Sequence, residues 1–480
     1  MKNILIIGSG PTGLTLANFL NKYNIDYTII DKVKVREKIS KALTLTTASL
    51  KTFQKLGIED QLIKNGNKIY DIDILNQEKE RISRISKLNV DSLFNYYLSI
   101  PQYITEEVLL NLFNQSGKTV QNSELISINK YKEGYHVKTI NNGCIEEKYY
   151  DYLIGCDGAK STTRKILNIP FSGIDYKIKF LIADIKVDFN YKNMIKTTTY
   201  IKKDNGFIGF FPITTDKFRL VMSTKKESIN NVLMFCLSEM KNHYKFDYSR
   251  SKLIWHTLVD IKQLYAGTIF PKNIFLLGDA WHIYSPVGGR TLNTGIQDAS
   301  DLAWRLSFYI KNNLHSNIFH DFLISRRMEH DYIKEITSFA TNLLIEGTSN
   351  SYMDRWFPQS ISNRQLYKKV IPEIFSGLRT SVRSIKHSHI RYVTFSESNK
   401  YSSTYDLSCQ KITIITDTSS LIKKINNHMI EYVIVTEDEM KKLVQSYYDV
   451  NKVLIVSPNG FIINYTFINN ISKNCYLNNN

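Results

Sequence analysis

Three glycines near the N-terminus have the spacing of a phosphate-binding turn. Gly8, Gly10 and Gly13 lie in the segment GSGPTG, between a short apolar segment and the helical pattern LTLANFLNKYN. In such a strand-turn-helix unit the first glycine permits a tight turn, the second lets backbone approach a pyrophosphate, and the third allows close helix packing. The free N–H groups at the start of the helix favour phosphate oxygens. We therefore predict a dinucleotide site that includes the intervening Pro11 and Thr12.

An acidic residue follows at the spacing that this kind of site requires. Asp31 ends the predicted second strand, DYTIID, and Lys32 comes directly after it. A carboxylate about 20 residues beyond the glycine turn can accept hydrogen bonds from an adenosine ribose. The motif leaves open whether the dinucleotide is NAD or FAD, and Asp31 argues only against a 2′-phosphate at this position.

Two later acidic residues also follow predicted strands. Asp157 follows the strand Tyr152–Gly155, and Asp279 follows the strand Ile274–Leu277. A carboxylate in this position can accept hydrogen bonds from ribityl or ribose hydroxyls. The glycine-rich loop after Asp279 can lie flat against a planar ring, and a helix predicted to start near Thr294 would point its N-terminal amides at a ring carbonyl. This loop predicts a flavin site.

Together these motifs resemble the class A FAD-dependent aromatic hydroxylases. The shared order is a GxGxxG turn, a central DG motif and a late GD motif, with further similarity in KALTLTTASLKTFQKLGIEDQL, IPQYITEEVLL and GFIGFFPITTDKFRLV. The resemblance covers about residues 1–395. It implies that FAD is the cofactor and that NAD(P)H is a co-substrate.

The resemblance also implies roles for individual residues. The three glycines would contact the pyrophosphate, Asp31 the ribose, and Asp279 the ribityl chain. Leu292 and Asn293 would offer backbone amides to the flavin pyrimidine, with Pro286 near the reactive carbon. The full cofactor-binding set predicted from the sequence is Gly8, Gly10, Pro11, Thr12, Gly13, Asp31, Lys32, Lys41, Gln102, Asp157, Asp279, Pro286, Gly289, Leu292 and Asn293.

Three positions depart from the family pattern. Lys41 replaces an arginine and so loses a planar bidentate donor. Trp281 stands where alanine is usual, and Thr291 where glycine is usual. Both side chains are expected to add bulk beside the flavin edge, where the ring must move and oxygen must approach.

The resemblance implies an α/β fold with three parts. A Rossmann-like FAD-binding domain of the glutathione-reductase type would comprise residues 1–72, 98–171 and 267–395. Residues 73–97 and 172–266, with alternating patterns such as FLIADIKVDF, predict an inserted antiparallel substrate-binding sheet. Residues 396–480 are similar to a small thioredoxin-like domain, which lacks a CxxC motif and would act in packing or dimerisation.

The implied activity is that of a monooxygenase. NAD(P)H would reduce FAD, O2 would form a flavin C4a-hydroperoxide, and a hydroxyl group would pass to a small aromatic or polyketide-like substrate. Alternatives are a Baeyer–Villiger, epoxidising or dehydrogenating FAD enzyme, or a degenerate protein that only binds flavin or a ligand. No catalytic side chain and no metal ligand is assigned, because the cofactor carries the chemistry.

Several side chains have open roles. Tyr200, Phe207, Phe210 and Phe211 could line the substrate pocket, although alternating aromatic residues are also typical of a sheet core. Arg219 is expected to be a surface or structural residue. His282 is tempting as a base but is expected to form a hydrogen bond within its own loop.

Composition excludes several other classes. The formal charge is +17, but Lys and Arg are scattered along the chain and no nucleic-acid-binding motif accompanies them. Five widely spaced cysteines indicate neither a disulfide framework nor a zinc site. No signal-peptide pattern and no run of about 18 apolar residues is present. We therefore expect a cytoplasmic protein without a membrane span, with a homodimer as an open alternative.

Overall fold

The computed structural model describes most of the first 345 residues and four short C-terminal segments. The described residues are 2–34, 36, 38, 42–78, 80–86, 92–188, 195–203, 206–243, 249–267, 271, 273–312, 316–345, 412–416, 430–434, 453–458 and 462–465. Lys41, predicted to approach FAD, lies outside them. Among the described residues, none of the helices combines the length and hydrophobicity needed to span a membrane.

The elements follow the predicted alternation of strands and helices in the N-terminal part. The described helices are α1 (Pro11–Lys22), α2 (Thr47–Gln54), α3 (Glu59–Asn65), α4 (Gln102–Asn114), α5 (Thr162–Ile166), α6 (Val232–His243), α7 (Arg290–Asn312) and α8 (Asn317–Ile345). The described strands are β1 (Ile4–Ile7), β2 (Thr28–Asp31), β3 (Thr44–Leu45), β4 (Asn67–Ile69), β5 (Asp71–Leu75), β6 (Arg81–Ser86), β7 (Tyr97–Ser99), β8 (Gln121–Asn122), β9 (Glu124–Tyr131), β10 (Gly134–Asn141), β11 (Cys144–Tyr150), β12 (Tyr152–Gly155), β13 (Phe171–Lys186), β14 (Thr197–Lys203), β15 (Gly206–Pro212), β16 (Lys217–Thr224), β17 (Lys252–Ala266), β18 (Ile274–Leu276), β19 (His282–Ile283), β20 (Ile412–Thr416), β21 (Ile430–Ile434), β22 (Val453–Val456) and β23 (Ile462–Tyr465).

A parallel sheet brings the sequence motifs to one edge. Its strand order is β18-β12-β1-β2-β8, and β1 pairs in parallel with both β2 and β12. The chain runs outward from β1 in both directions, so the carboxyl end of β1 is the point where a doubly wound sheet opens a crevice. Because the strands are parallel, the motifs that follow them meet at this edge.

The strand β1 is buried throughout, as expected for a parallel strand covered on both faces. One face of the sheet packs against α1, α4 and α7, and the apolar core there includes Leu16, Phe19, Leu109 and Trp304. The three-stranded sheet β11-β10-β9 lies on the other side, where Tyr135 and Val137 pack with Leu5 and Leu153.

A second, larger sheet has the order β19-β17-β13-β16-β15-β14-β5-β6. All neighbouring pairs are antiparallel except β14 and β5, which pair in parallel and so differ from the predicted purely antiparallel sheet. On one face, alternate residues such as Leu181, Ile208 and Phe210 pack on α6. The residues between them, including Phe180 and Phe207, belong to a separate cluster on the opposite face.

The C-terminal segments form a four-stranded sheet with the order β21-β20-β22-β23. The pair β20–β21 is parallel, whereas β20–β22 and β22–β23 are antiparallel. The last two strands flank Pro458, which agrees with the predicted hairpin. A small sheet, β3-β7-β4, lies in the N-terminal part and contributes Tyr97 and Ser99 to the site described below.

Candidate functional site

One cavity of about 980 Å³ joins the carboxyl edge of the parallel sheet to the face of the large sheet that is opposite α6. Most of the predicted cofactor-binding residues line it. These are Gly8, Gly10, Pro11, Thr12, Asp31, Lys32, Gln102, Asp157, Asp279, Pro286, Gly289 and Leu292. Gly13 and Asn293 do not line the cavity.

The surroundings of the three glycines in the turn explain why none of them carries a side chain. A Cβ added at Gly8 would lie 2.5 Å from the Cys156 carbonyl oxygen, and one at Gly13 would lie 2.0 Å from the Gly8 carbonyl oxygen. At Gly10 an added Cβ would meet no atom within 4 Å, although the residue lines the cavity. Gly8 and Gly13 therefore permit packing of protein on protein, whereas Gly10 leaves open the space that a pyrophosphate needs.

The turn is tied to the end of β2 through Asp31. Its Oδ2 accepts hydrogen bonds from the Ser9 backbone N–H at 2.7 Å and from the Ser9 hydroxyl at 2.8 Å. Its Oδ1 accepts one from the Val33 N–H at 2.9 Å. The carboxylate is part-exposed at the cavity wall, so it is held in place by the protein and still available to a ligand.

An arginine that the sequence did not single out reinforces this corner. Arg36 Nη2 donates to the Ser9 carbonyl oxygen at 2.6 Å, and Arg36 Nη1 pairs with Glu106 Oε2 at 3.1 Å. Gln102 Nε2 donates to Glu106 Oε1 at 2.8 Å, and Gln102 Oε1 accepts from the Ala42 N–H at 3.3 Å. Arg36 was missed because no local pattern marks it, whereas Glu106 ends the segment PQYITE, of which only Gln102 was given a role.

The DG motif acts as a connector between segments. Asp157 Oδ2 accepts hydrogen bonds from the Thr163 N–H at 2.8 Å and hydroxyl at 2.9 Å, at the start of α5. Arg164 is buried and donates from Nη1 to the Ala280 carbonyl oxygen at 2.9 Å and from Nη2 to the Ala159 carbonyl oxygen at 2.8 Å. The DG and GD motifs are thereby fixed to each other.

The loop before α7 ends earlier in the structure than the sequence predicted. Gly288 and Gly289 have φ values of +85° and +60°, and α7 begins at Arg290, four positions before the predicted Thr294. The left-handed backbone at the two glycines ends the loop early. The free amides of the first helical turn are therefore those near Arg290 and Leu292.

Asn293 is the residue after Leu292 on α7, and its side chain forms hydrogen bonds that were not predicted. Its Oδ1 accepts from the Thr46 N–H at 2.9 Å and the Ser49 hydroxyl at 2.7 Å. Its Nδ2 donates to the carbonyl oxygens of Thr44 and Gly289 at 2.8 Å and 2.7 Å. Asn293 thus joins the start of α2 to the start of α7.

The expectation that Trp281 adds bulk beside the flavin edge is not met. Trp281 is fully buried and does not line the cavity, and its ring packs against Tyr265, Phe322 and His330. Its size is accommodated behind the loop. Thr291 does line the cavity, and its hydroxyl lies 3.3 Å from the Tyr284 backbone nitrogen.

His282 is bonded outside its own loop, contrary to the prediction. Its Nε2 lies 2.8 Å from Asp298 Oδ2 on α7, and His330 Nε2 on α8 lies 2.9 Å from Asp298 Oδ1. Arg326 Nε also donates to Asp298 Oδ1, at 2.8 Å. The sequence could not reveal this cluster because its members are far apart in the chain.

Charge interactions set the protonation states in this cluster. Burial alone would raise the pKa of Asp298, but the Arg326 guanidinium and the hydrogen bond with His282 hold it well below its usual value. Burial lowers the pKa of His330 to about 3, so this imidazole is neutral near pH 7. The three ligand-type groups His282, Asp298 and His330 lie together, but Arg326 already neutralises the carboxylate. The cluster connects the GD loop to both long helices.

The large sheet supplies the apolar part of the cavity. Tyr200, Phe207 and Phe211 line it, whereas Phe210 faces α6 on the other side of the sheet. Arg219 also lines the cavity and is buried, and it forms a bidentate pair with Asp184 at 2.7 and 2.8 Å. It is therefore a buried residue rather than a surface one.

Residues 1–326 match the family model described as FAD binding domain. The chain belongs to this family. The match confirms the resemblance drawn from the motifs, and FAD is the cofactor of the family. The glycine cradle and the open space over Gly10 fit such a dinucleotide.

Curated relatives of this FAD-binding-domain protein include flavin monooxygenases. The chain is 25% identical over 316 residues to the rifampicin monooxygenase of Streptomyces venezuelae, covering 64% of this chain and 64% of that protein. It is 25% identical over 317 residues to the pentachlorophenol 4-monooxygenase of Sphingobium chlorophenolicum, covering 63% and 58%. The matched region thus spans less than two thirds of either relative.

Solved structures share the fold along nearly the whole chain. The ternary complex of aklavinone-11 hydroxylase with FAD and aklavinone superposes with a TM-score of 0.77 at 15% identity, covering 97% of this chain and 95% of that one. The anhydrotetracycline hydroxylase OxyS from Streptomyces rimosus gives a TM-score of 0.72 at 19% identity, covering 96% and 95%. At these identities the likeness shows the fold.

Proposed function

We propose that the protein is an FAD-dependent monooxygenase that uses NAD(P)H and O2 to hydroxylate a small aromatic or polyketide-like molecule. The observation that carries the proposal is the continuous cavity, in which a dinucleotide-binding edge meets an apolar, aromatic sheet face. The relatives named above support the same reaction class.

The residues around the cavity can hold FAD from end to end. The glycine turn and the start of α1 would bind the pyrophosphate, and Asp31 the ribose, with Lys32 and Arg36 nearby. Gln102 and Asp279 would contact the middle of the cofactor. Pro286, Gly289 and the first amides of α7 would face the flavin ring. When bound, FAD supplies the electron transfer and the activation of O2.

The protein's own contribution is to bind, orient and exclude water. Tyr200, Phe207 and Phe211 offer flat apolar surfaces on which an aromatic ring can pack. A cavity of this size lies at the upper end of the range for small-molecule sites. Packing of these apolar side chains against a bound ring would exclude water from the reacting atoms.

The domain assignment is part of the proposal. Residues 1–72, 98–171 and 267–395 would form the FAD-binding domain, and residues 73–97 and 172–266 the substrate-binding domain. The pairing of β5 and β6 with the large sheet supports the inclusion of the first insertion. The pair of long strands β13 and β17 supports the limits of the second.

We also propose that residues 396–480 form a thioredoxin-like domain. The mixed sheet, with a parallel pair next to an antiparallel pair, supports this assignment. The sequence lacks a CxxC motif, so we assign this domain a packing role rather than dithiol chemistry.

The first experiment combines a spectrum with a kinetic assay. The purified protein should show a flavin absorption spectrum, and NADPH oxidation should be stimulated by one or more members of a panel of phenols and polycyclic quinones. With 18O2, one labelled oxygen atom should enter the product, which separates hydroxylation from dehydrogenation. A colourless protein that takes up no added FAD would refute the proposal.

Two neighbouring phenylalanines provide a matched test of the substrate face. Phe211→Leu alters the cavity wall and should change the KM for the stimulating ligand. Phe210→Leu alters the opposite face of the same strand and should lower the melting temperature without changing that KM. If both variants change KM equally, the sheet face does not bind the substrate.

A further inference from the structure

The three-stranded sheet β11-β10-β9 ends in a strand with a free edge. The outer strand β11 follows a tight turn at Asn142 and Gly143, where φ is +48° and +86°, and it pairs antiparallel with β10 along its whole length. Within the described ranges, no strand lies on the other side of β11. The backbone N–H and C=O groups that point away from β10 are therefore open to a further strand.

The strand β11 also carries a large apolar side chain in solvent. Ile145 is 64% exposed, more than any other large apolar side chain of the described residues. Tyr135 on β10 packs against the parallel sheet and lies opposite Tyr150. By alternation, Ile145, Glu147 and Tyr149 lie on the outward face of the sheet. The free edge is therefore bordered by an apolar and an aromatic side chain that a partner could cover.

The charges of β11 are complementary to the same strand in reverse order. Glu146 and Lys148 are both exposed, and Lys148 Nζ donates to Glu146 Oε2 at 2.6 Å. If two copies of β11 pair antiparallel about a two-fold axis at Glu147, Glu146 of each copy lies opposite Lys148 of the other. The four side chains then form a network of alternating charges, which is more effective than an isolated surface pair.

The same register joins the apolar side chains. Ile145 of each copy lies opposite Tyr149 of the other, and pairs of a β-branched with an aromatic residue are among the favourable cross-strand pairs. Glu147 meets its own copy at the axis, which is unfavourable. However, Lys138 Nζ lies 3.5 Å from Glu147 Oε2, so each carboxylate brings its own counter-charge.

Neighbouring registers lack this complementarity. An axis at Glu146 or at Lys148 places two like charges opposite each other and pairs no glutamate with a lysine. Charged side chains on an edge strand commonly prevent pairing with other strands. On β11 the order of the charges opposes most partners but favours a second copy of the strand itself.

We propose that β11 is an interface at which two copies of this chain pair edge to edge, about a two-fold axis at Glu147. The two three-stranded sheets then form one continuous sheet of six strands, and the interface is isologous. Seven paired residues bury a small area, so the dimer should be weak and dependent on concentration. The interface is independent of the proposed reaction, because no residue of β11 lines the cavity.

The test is sedimentation velocity of the full chain, with FAD present, from about 1 μM to about 100 μM protein. The wild type should shift from monomer to dimer over this range. Glu146→Lys and Lys148→Glu each place like charges opposite each other in both cross-strand pairs. Each variant alone should raise the Kd of the dimer at least about 10-fold.

An equimolar mixture of these two variants is the decisive sample. In a mixed dimer both cross-strand pairs again join opposite charges, so dimerisation should recover to about the wild-type level. The like charges within each chain remain in the mixture. Recovery therefore reports contact between chains and shows that both variants are folded.

A second pair of variants tests the apolar contact. Ile145→Thr keeps a β-branched side chain but removes apolar surface at the interface, and it should raise the Kd of the dimer about 5-fold. Ile126→Thr is the matched control. Ile126 is 40% exposed on β9, at the opposite edge of the same sheet, so its replacement should leave the Kd unchanged.

Three results would overturn the proposal. A wild type that sediments as a monomer at every concentration has no such interface. A dimer whose Kd does not respond to the two charge reversals, or a mixture that does not recover, places the interface elsewhere. None of these measurements depends on substrate hydroxylation, which is tested separately by NADPH oxidation and 18O2 incorporation.

Discussion

The last two glycines of the turn, Gly10 and Gly13, permit a sharp comparison, because Gly13 is closed in by protein and Gly10 is open. In Gly13→Ala, the new Cβ would lie 2.0 Å from the Gly8 carbonyl oxygen and 3.4 Å from Cys156 Cβ. The nearest atom is backbone, which cannot rotate away. Helix α1 must therefore move relative to the turn.

The size of the effect follows from two opposing contributions. Overpacking of this kind costs about 3 kcal/mol, while alanine within a helix is about 1 kcal/mol more favourable than glycine. The free energy of unfolding should therefore fall by about 2 kcal/mol, which lowers the melting temperature by roughly 2 °C for a chain of 480 residues. The affinity for FAD should fall as well, since the turn is displaced.

Gly10→Ala is the control with the opposite signature. Gly10 has φ −68° and ψ −173°, a conformation open to alanine, and an added Cβ would meet no protein atom within 4 Å. The FAD-free protein should lose less than about 1 kcal/mol, the cost of a poorer helix cap. The methyl group would instead occupy the space proposed for the pyrophosphate, so the dissociation constant for FAD should rise.

The assay is thermal unfolding of the FAD-free variants, followed by titration with FAD and detection of flavin fluorescence quenching. An unchanged melting temperature in Gly13→Ala would show that the packing argument is wrong. Unchanged FAD affinity in Gly10→Ala would show that the pyrophosphate does not lie over that glycine.

Three further predictions concern other parts of the site. Asp31→Asn should weaken FAD binding about 10-fold in the same fluorescence titration, because a charged acceptor is lost; equal affinity would remove Asp31 from the site. The pKa of His330 is about 3 in the folded protein, below its usual 6.5. Between these two pH values the unfolded chain therefore binds one more proton than the folded protein does. As the pH drops through that window, the free energy of unfolding should fall by up to about 1.4 kcal/mol per pH unit. His330→Gln should flatten the dependence of melting temperature on pH between about pH 6.5 and pH 5, and an unaltered slope would contradict the assignment. Trp281→Phe should lower the melting temperature but leave ligand affinity unchanged, whereas Thr291→Ala, on the cavity wall, should change ligand affinity; the reverse pattern would restore Trp281 to the flavin edge.

The sequence by itself determined the FAD-binding half of this protein. Gly8, Asp157 and Asp279 each closely follow a predicted strand and Asp31 ends one, and in a parallel sheet such positions must meet at one edge. Local spacing was sufficient here, because each motif combines its strand, turn and helix within a few residues. The alternating patterns likewise predicted the second sheet.

Only the tertiary structure decided which side chains of the second sheet face the cavity and which distant groups pair. Alternation separates Phe207 from Phe210 but does not say which of the two faces the ligand, since that depends on where α6 packs. Trp281 was expected at the flavin edge, but it packs in the core because α8 provides a pocket for it. The bonds of Asp298 to His282 and His330 join residues distant in the chain, and only the fold can bring them within hydrogen-bonding distance.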